Sequence, residues 1–311
     1  MKNHELNIIK LKDTIQDCNV NFLIGSGMSM PYLTTLGKIE ILLTELSEKK
    51  ESGGVTADQE KIIRVSLYKN FFDGAISKNI DVLKNKSGAT SVLDSYKDFL
   101  KIVNSIILKR KSTILNKQIN IYTTNVDVFL EKSLEDTKVE YNDGFSGRLN
   151  PMFNLSNFKK SLFKTSLHYD NTSELPIFNL MKIHGSLTWS KNKKEGIAFS
   201  SDLKIVENIK SKTVTTDKLI EIDDESVVDD LVSKTNGKTS DQSVSDFITE
   251  YEKLSIVNPN KEKFRETVLN RTYYELLRIY SNQLEKENTV LFVMGFSFAD
   301  EHIRDVTIRA A

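Results

Sequence analysis

The sequence predicts an α/β fold built on a mainly parallel sheet with helices on both faces. Three observations carry this. The runs VNFLI, QINIYT, NLMKI and TVLFVM are apolar on both faces, as expected of strands buried on both sides. Segments with apolar residues three and four apart lie between them. Each run stops at glycine or at a polar turn, so sharp punctuation separates strand from helix.

The elements follow in order. Residues 5–17 carry Leu6, Ile9, Leu11 and Ile15 on one side and read as a short amphipathic helix. Val20–Ile24 reads as a buried strand ending in the glycine turn GSGMS. From 38 to 116 the spacing is helical throughout, in IEILLTELSEKK, EKIIRVSLYKNFFDGAI and VLDSYKDFLKIVNSIILKR, and predicts a helical insert. A second strand spans Gln118–Thr123. A helix, VFLEKSLED, a short strand, KVEYN, and a loop over 143–151 come next. A third buried strand, NLMKIHG, ends at His184 and Gly185. Residues 190–285 form a second, mixed insert. TVLFVM, ending at Gly295, is the clearest strand, and FSFADEHIRD opens another helix. The expected division is a core of 1–37, 117–190 and 285–311 interrupted by the two inserts. The chain stops about 17 residues past its last strand, and the expectation is a fragment of a longer protein.

Within the second insert, EIDDESVVDD from Glu221 holds six acidic residues and no basic one. Two readings stay open: a solvated, partly mobile loop, or a surface that meets a partner.

Composition narrows the function classes. The 311 residues carry 43 Lys+Arg and 43 Asp+Glu, a net charge of zero. That argues against a binder that holds nucleic acid through a strongly basic surface. Cys18 is the single cysteine, so an internal disulfide and a multi-cysteine zinc site are excluded. The N-terminal residues have no apolar core of a signal peptide, and no apolar run is long enough to span a bilayer. The expected location is the cytoplasm. His-Glu-x-x-His, Gly-x-Ser-x-Gly and Walker-type loops are all missing from the sequence.

Four short motifs share one placement, just past the carboxyl end of a buried strand. They are Gly25-Ser26-Gly27-Met28-Ser29, Thr123-Thr124-Asn125-Val126-Asp127, His184-Gly185, and Gly295-Phe296-Ser297 with Asp300. Ligands of open parallel sheets bind at that rim. Glycines at 25 and 27 allow a tight turn and a close approach to a diphosphate, with amides of a helix N-terminus facing it. Asn125 and Asp127 can bind ribose hydroxyls, an amide or a water, and they equally suit a turn and helix cap. His184 is a candidate general base, or a histidine satisfied within the core. His302 opens the last helix and suits a structural role better than a catalytic one. His4 and His168 fall in polar segments. Position 30 is Met and position 31 is Pro, so the third glycine of a dehydrogenase fingerprint is missing.

GSGMS, TTNVD, HG and GFS..D in this order resemble the sirtuin-like NAD-binding domain. The resemblance implies a Rossmann-like fold that breaks the nicotinamide–ribose bond of NAD+. On it, Gly25, Ser26, Gly27 and Ser29 hold the diphosphate and neighbouring ribose, with Thr123 among the binding residues. Asn125 contacts the nicotinamide ribose or the attacking water, and Asp127 binds the carboxamide. His184 is the base or positions the ribose. Gly295, Ser297 and Asp300 line the adenosine side. The chain lacks the four-cysteine zinc module of the protein deacetylases, and Pro31-Tyr32-Leu33-Thr34 replaces their Pro-Asp-Phe-Arg stretch. The pattern is closer to zinc-less sirtuin-like NADase effectors of bacterial antiphage defence. The tail FSFADEHIRD resembles those that work with a HerA-type ATPase. The implied activity is hydrolysis of NAD+ to ADP-ribose and nicotinamide, gated by assembly into a homo-oligomer, with no zinc. The alternatives are a non-catalytic NAD or ADP-ribose sensor, and a deacylase or ADP-ribosyl transferase.

Overall fold

A computed structural model describes residues 2–111, 114–192, 196–223, 225–257 and 267–310. Helix α1 (Lys2–Asp17) leads into β1 (Asn19–Ile24). Four helices follow: α2 (Ile39–Glu51), α3 (Ala57–Phe71), α4 (Asn79–Leu83) and α5 (Ser87–Leu108). Thr56 starts α3 with a capping box, exchanging bonds with Gln59. After α3 the chain makes one π-helical turn, in which the Ser77 N–H donates to the Phe72 carbonyl five residues back at 2.7 Å. Strand β2 (Gln118–Thr123) and α6 (Phe129–Thr137) come next. Short strands β3 (Tyr141–Asn142), β4 (Phe145–Ser146) and β5 (Met152–Phe153) precede a hairpin of β6 (Leu162–Thr165) and β7 (Thr172–Leu175). Then follow β8 (Ile177–Lys182), β9 (Trp189–Asn192), β10 (Gly196–Phe199), α7 (Lys204–Lys210), α8 (Val228–Lys234), α9 (Gln242–Tyr251) and α10 (Thr267–Leu284). The described chain closes with β11 (Thr289–Met294) and α11 (Glu301–Ala310).

The five-stranded sheet has the order β11-β1-β2-β8-β3 and every pairing in it is parallel. The apolar runs are its strands because helices cover both faces, as the fold class predicts. Ile177–Lys182 is buried along its whole length. On one face the core joins Phe22, Ile121 and Leu180 to the helices of residues 39–108 and to α9. On the other, Leu23, Tyr122 and Met181 meet α10 and α11 through Tyr280 and Ile303. The helical block therefore packs into the same core as the sheet rather than standing apart from it.

Register is held by a row of amides across the sheet. Asn21, Asn120 and Asn179 are paired positions on β1, β2 and β8. Asn120 Nδ2 donates to Asn21 Oδ1 at 2.9 Å, and Asn179 Nδ2 donates to Asn120 Oδ1 at 3.0 Å. Slipping one strand by one residue would turn each amide to the opposite face and unpair its neighbours.

A four-stranded antiparallel sheet, β4-β5-β10-β9, sits beside the main one. Aromatic rings hold it together. Phe153 lies 5.1 Å from Trp189, and Phe145 lies 5.3 Å from Phe199, between ring centroids. Residues 143–151, expected as a loop, thus contain the first strand of this sheet.

The acidic stretch corrects an expectation. It is not merely a solvated loop. Val228 and Leu231 of α8 are buried, Lys49 of α2 pairs with Asp229, and the Ile220 N–H donates to Ser66 Oγ of α3 at 3.0 Å. Two apolar residues one turn apart anchor the segment, and Glu221, Asp223, Glu225, Asp229 and Asp230 are exposed around them. No helix among the described residues is long and apolar enough to cross a membrane.

Candidate active site

Two of the four motifs begin immediately beyond β1 and β11, a third begins at the last residue of β2, and His184 lies two residues past β8. The sheet order puts these four strands side by side, so the motifs converge. A cleft of about 600 Å³ is lined by Ser26, Gly27, Ser29, Asn125, Asp127, His184, Gly295, Ser297 and Asp300. Gly25 and Thr123 lie behind this lining. Both are buried, and Thr123 Oγ1 donates to the Ile24 carbonyl at 2.8 Å while accepting from the Asn125 N–H at 3.0 Å. Thr123 therefore shapes the turn that presents Asn125.

Asn125 is 5% exposed and Asp127 6%. Asn125 Nδ2 donates to the Gly25 carbonyl at 3.1 Å and lies 3.4 Å from Ser29 Oγ. A carbonyl can only accept, so the amide orientation is chemically determined and Oδ1 is the atom left over. That Oδ1 is buried without a hydrogen-bond partner. An orphaned acceptor costs about 1–3 kcal/mol, which a bound donor would recover.

Asp127 is held at both oxygens. Oδ2 accepts from Ser29 Oγ at 2.8 Å, and Oδ1 accepts from the Phe129 N–H at 3.1 Å. The second bond closes the turn that leads into α6, so the turn role anticipated for this residue coexists with its place in the cleft. Ser29 gives its only proton to Asp127, so Tyr96 Oη, 3.1 Å away, donates to Ser29. Burial, followed by the Asp127 carboxylate, raises the Tyr96 phenol well above its ordinary range. It stays a donor.

His184 Nε2 lies 3.0 Å from Asp300 Oδ2. Asp300 also accepts from the Ile303 N–H at 3.1 Å, at the start of α11. Its carboxylate thus faces the imidazole. The Tyr273 ring lies 5.9 Å from the His184 ring, and burial, then Asp300, pushes its phenol up. The His184 carbonyl accepts from the Val257 N–H at 2.8 Å.

The glycines also meet a packing requirement within the protein. The segment after β1 is a single 3₁₀ turn, Ser26–Ser29, rather than a long helix with free amides. The Gly27 N–H donates to the Gly295 carbonyl at 2.9 Å. A Cβ on Gly25 would stand 2.5 Å from that same carbonyl oxygen. At Gly185, φ is +82° and a Cβ would stand 2.2 Å from the Ser255 carbonyl. Close approach is required in both places, and the approaching group is the protein's own backbone.

The rest of the lining comes from segments the motifs did not mark. Leu33, Phe71, Ala75 and Ile256 supply an apolar wall, which Val126 of the second motif joins. Phe71 and Ala75 flank or belong to the π-helical turn, which Asn79 ties to the Asp127 loop by accepting the Val128 N–H at 2.9 Å. Tyr96 had a faint signal, as the polar tip on the apolar stripe Val92, Leu93, Tyr96, Leu100. Lys182 had a stronger one, a charge inside a buried strand. His168 and His302 are exposed. Among the described residues no group of three or more His, Cys, Asp or Glu could hold a metal ion.

The chain matches no curated protein. A family model, the SIR2-like domain, matches residues 119–311. The match starts within β2, yet β1 lies between β2 and β11 in the sheet and completes the same cleft. With the match covering well over half its length, the chain belongs to the SIR2-like domain family, whose members use NAD+.

Proposed function

We propose that the chain is an NAD+ glycohydrolase that cleaves the nicotinamide–ribose bond. The observation that carries the reading is the unpartnered, chemically determined Asn125 Oδ1 beside the Asp127 carboxylate, in one cleft with the His184–Asp300 pair. The cleft suits the size of a nucleotide. Its apolar wall suits a pyridine ring, and Ser26 and Ser297 add hydroxyls to the lining.

In the proposed reaction the bond from C1′ to the nicotinamide nitrogen breaks, and its electron pair leaves with the neutral nicotinamide. The ribose then carries a spread positive charge. Asn125 Oδ1 and the Asp127 carboxylate present negative potential to it from a site that excludes bulk water. A water oxygen bonds to C1′, and its released proton passes to His184, with Asp300 holding the imidazole in orientation. The products are ADP-ribose, nicotinamide and one proton.

We further infer that turnover is gated by assembly, because unrestrained loss of NAD+ would poison a cell. The hairpin of β6 and β7 exposes Phe163, Leu167 and Tyr169, a set of apolar side chains suited to contact between copies. A role in antiphage defence by NAD+ depletion in the cytoplasm, beside a HerA-type ATPase, follows from the motif resemblance. The test is nicotinamide release from NAD+ by wild type and Asn125→Ala, with the mass of the active species measured in parallel.

A further inference from the structure

We propose that Glu131 and Lys182 are a positioning pair, which sets His184 against Asn125 and Asp127. The proposal rests on the cleft being the site of NAD+ cleavage. Lys182 is the last residue of β8 and is 3% exposed. An unpaired ammonium there would cost several kcal/mol. Its three protons are all placed: Nζ donates to the Asp127 carbonyl, to Glu131 Oε1 at 2.9 Å and to Glu131 Oε2 at 3.1 Å.

Glu131 does more than neutralise the lysine. Its Oε1 also accepts from Ser186 Oγ at 3.0 Å. Ser186 in turn accepts from the Thr188 N–H at 3.3 Å, and its Oγ lies 3.0 Å from Thr188 Oγ1. Lys182 and Ser186 stand two residues before and two residues after His184. One carboxylate therefore holds both flanks of the histidine. That carboxylate projects from the first turn of α6, the helix whose first N–H, that of Phe129, donates to Asp127. Through Lys182 the network also reaches the Asp127 backbone. The two halves of the cleft, one from β2 and one from β8, are thus bonded to each other beneath its floor.

Neither side chain lines the cleft, and the lysine has no proton left for a ligand. Their action is through His184 and Asp127. An apolar pair of similar volume could fill the same space without loss of stability. It could not supply directional bonds to a carbonyl and a hydroxyl. Geometry, more than stability, is what the pair contributes.

The test compares wild type, Ser186→Ala and the double variant Glu131→Leu/Lys182→Met for nicotinamide release and thermal unfolding. The double variant should stay folded, with kcat down about 10- to 100-fold and KM changed less than about threefold, the signature of misplaced reacting groups. Ser186→Ala, which removes one strap and no charge, should lower kcat several-fold at a nearly unchanged melting temperature, and it decides the matter if the double variant does not fold. A folded variant with wild-type kcat overturns the proposal.

A second readout does not depend on the reaction. The chain has four histidines, so imidazole NMR signals can be followed singly. Signals of His184 should move in Ser186→Ala while those of His4, His168 and His302 stay in place. Unmoved His184 signals overturn the positioning role. Absence of NAD+ cleavage by wild type would count against the glycohydrolase reading alone.

Discussion

Ser29 Oγ donates to Asp127 Oδ2 across 2.8 Å and 98 positions of sequence. The bond joins the turn after β1 to the turn after β2, and Tyr96 of α5 supports it from below. Three separate segments therefore hold one carboxylate in one rotamer. That preorganisation is what makes a carboxylate effective against developing positive charge.

Tyr96→Phe should remove the supporting donor while keeping the ring stacked on Phe129 at 5.6 Å. Nicotinamide release should fall several-fold with a stability loss of about 1 kcal/mol. Ser29→Ala should cost more, on the order of 10-fold, because Asp127 then loses a direct bond. Steady-state rates beside urea unfolding check both. Equal rates for wild type and Ser29→Ala would mean that the carboxylate needs no restraint.

Gly295→Ala should be severe for a reason unrelated to any ligand. Its φ is +61°, and a Cβ would stand 2.4 Å from the Met28 amide nitrogen. Backbone would have to move, at a cost of about 2 kcal/mol or more. Urea unfolding should show the loss with no nucleotide present. A change below about 0.5 kcal/mol would show that the two turns are not packed together as described.

Asp143 gives a pH dependence of stability. Burial raises its carboxyl from 3.8 to about 6, the Phe145 N–H pulls against this, and Glu131 adds to the rise. Between these values the folded chain holds a proton that the unfolded chain has released. Stability from this group is therefore present below the unfolded value and is lost as pH rises to about 6. Asp143→Asn keeps an acceptor for Phe145 and removes the titration. Its advantage over wild type should grow from pH 4 to pH 7 by up to roughly 2–3 kcal/mol. Urea unfolding at each pH measures it, and a constant difference would contradict the assignment.

The legible part of the fold was the part that burial writes into sequence. A strand covered on both faces is apolar at most of its positions, so Asn19–Ile24, Gln118–Thr123, Ile177–Lys182 and Thr289–Met294 stand out. Strands of two residues such as Phe145–Ser146 leave no such pattern, because neighbours rather than local preference make them. Val228 and Leu231 were masked by the acidic residues around them. In the cleft, residues at strand ends could be read, because topology alone carries them to one rim. Tyr96, Glu131 and Lys182 arrive from a helix stripe, a helix turn and the last position of a strand, and only packing shows what they touch. Gly25 and Gly27 read as close-approach positions for a diphosphate, and in the folded chain the Gly295 carbonyl of the turn after β11 comes close to both.

The most direct measurement is NAD+ consumption by the assembled wild-type protein, with nicotinamide and ADP-ribose quantified together, beside Asn125→Ala. Wild type should convert NAD+ to the two products in equal amounts. Asn125→Ala should slow this roughly 100-fold or more while the protein remains folded. Intact NAD+ after incubation with assembled wild type, or equal turnover by Asn125→Ala, would contradict the account.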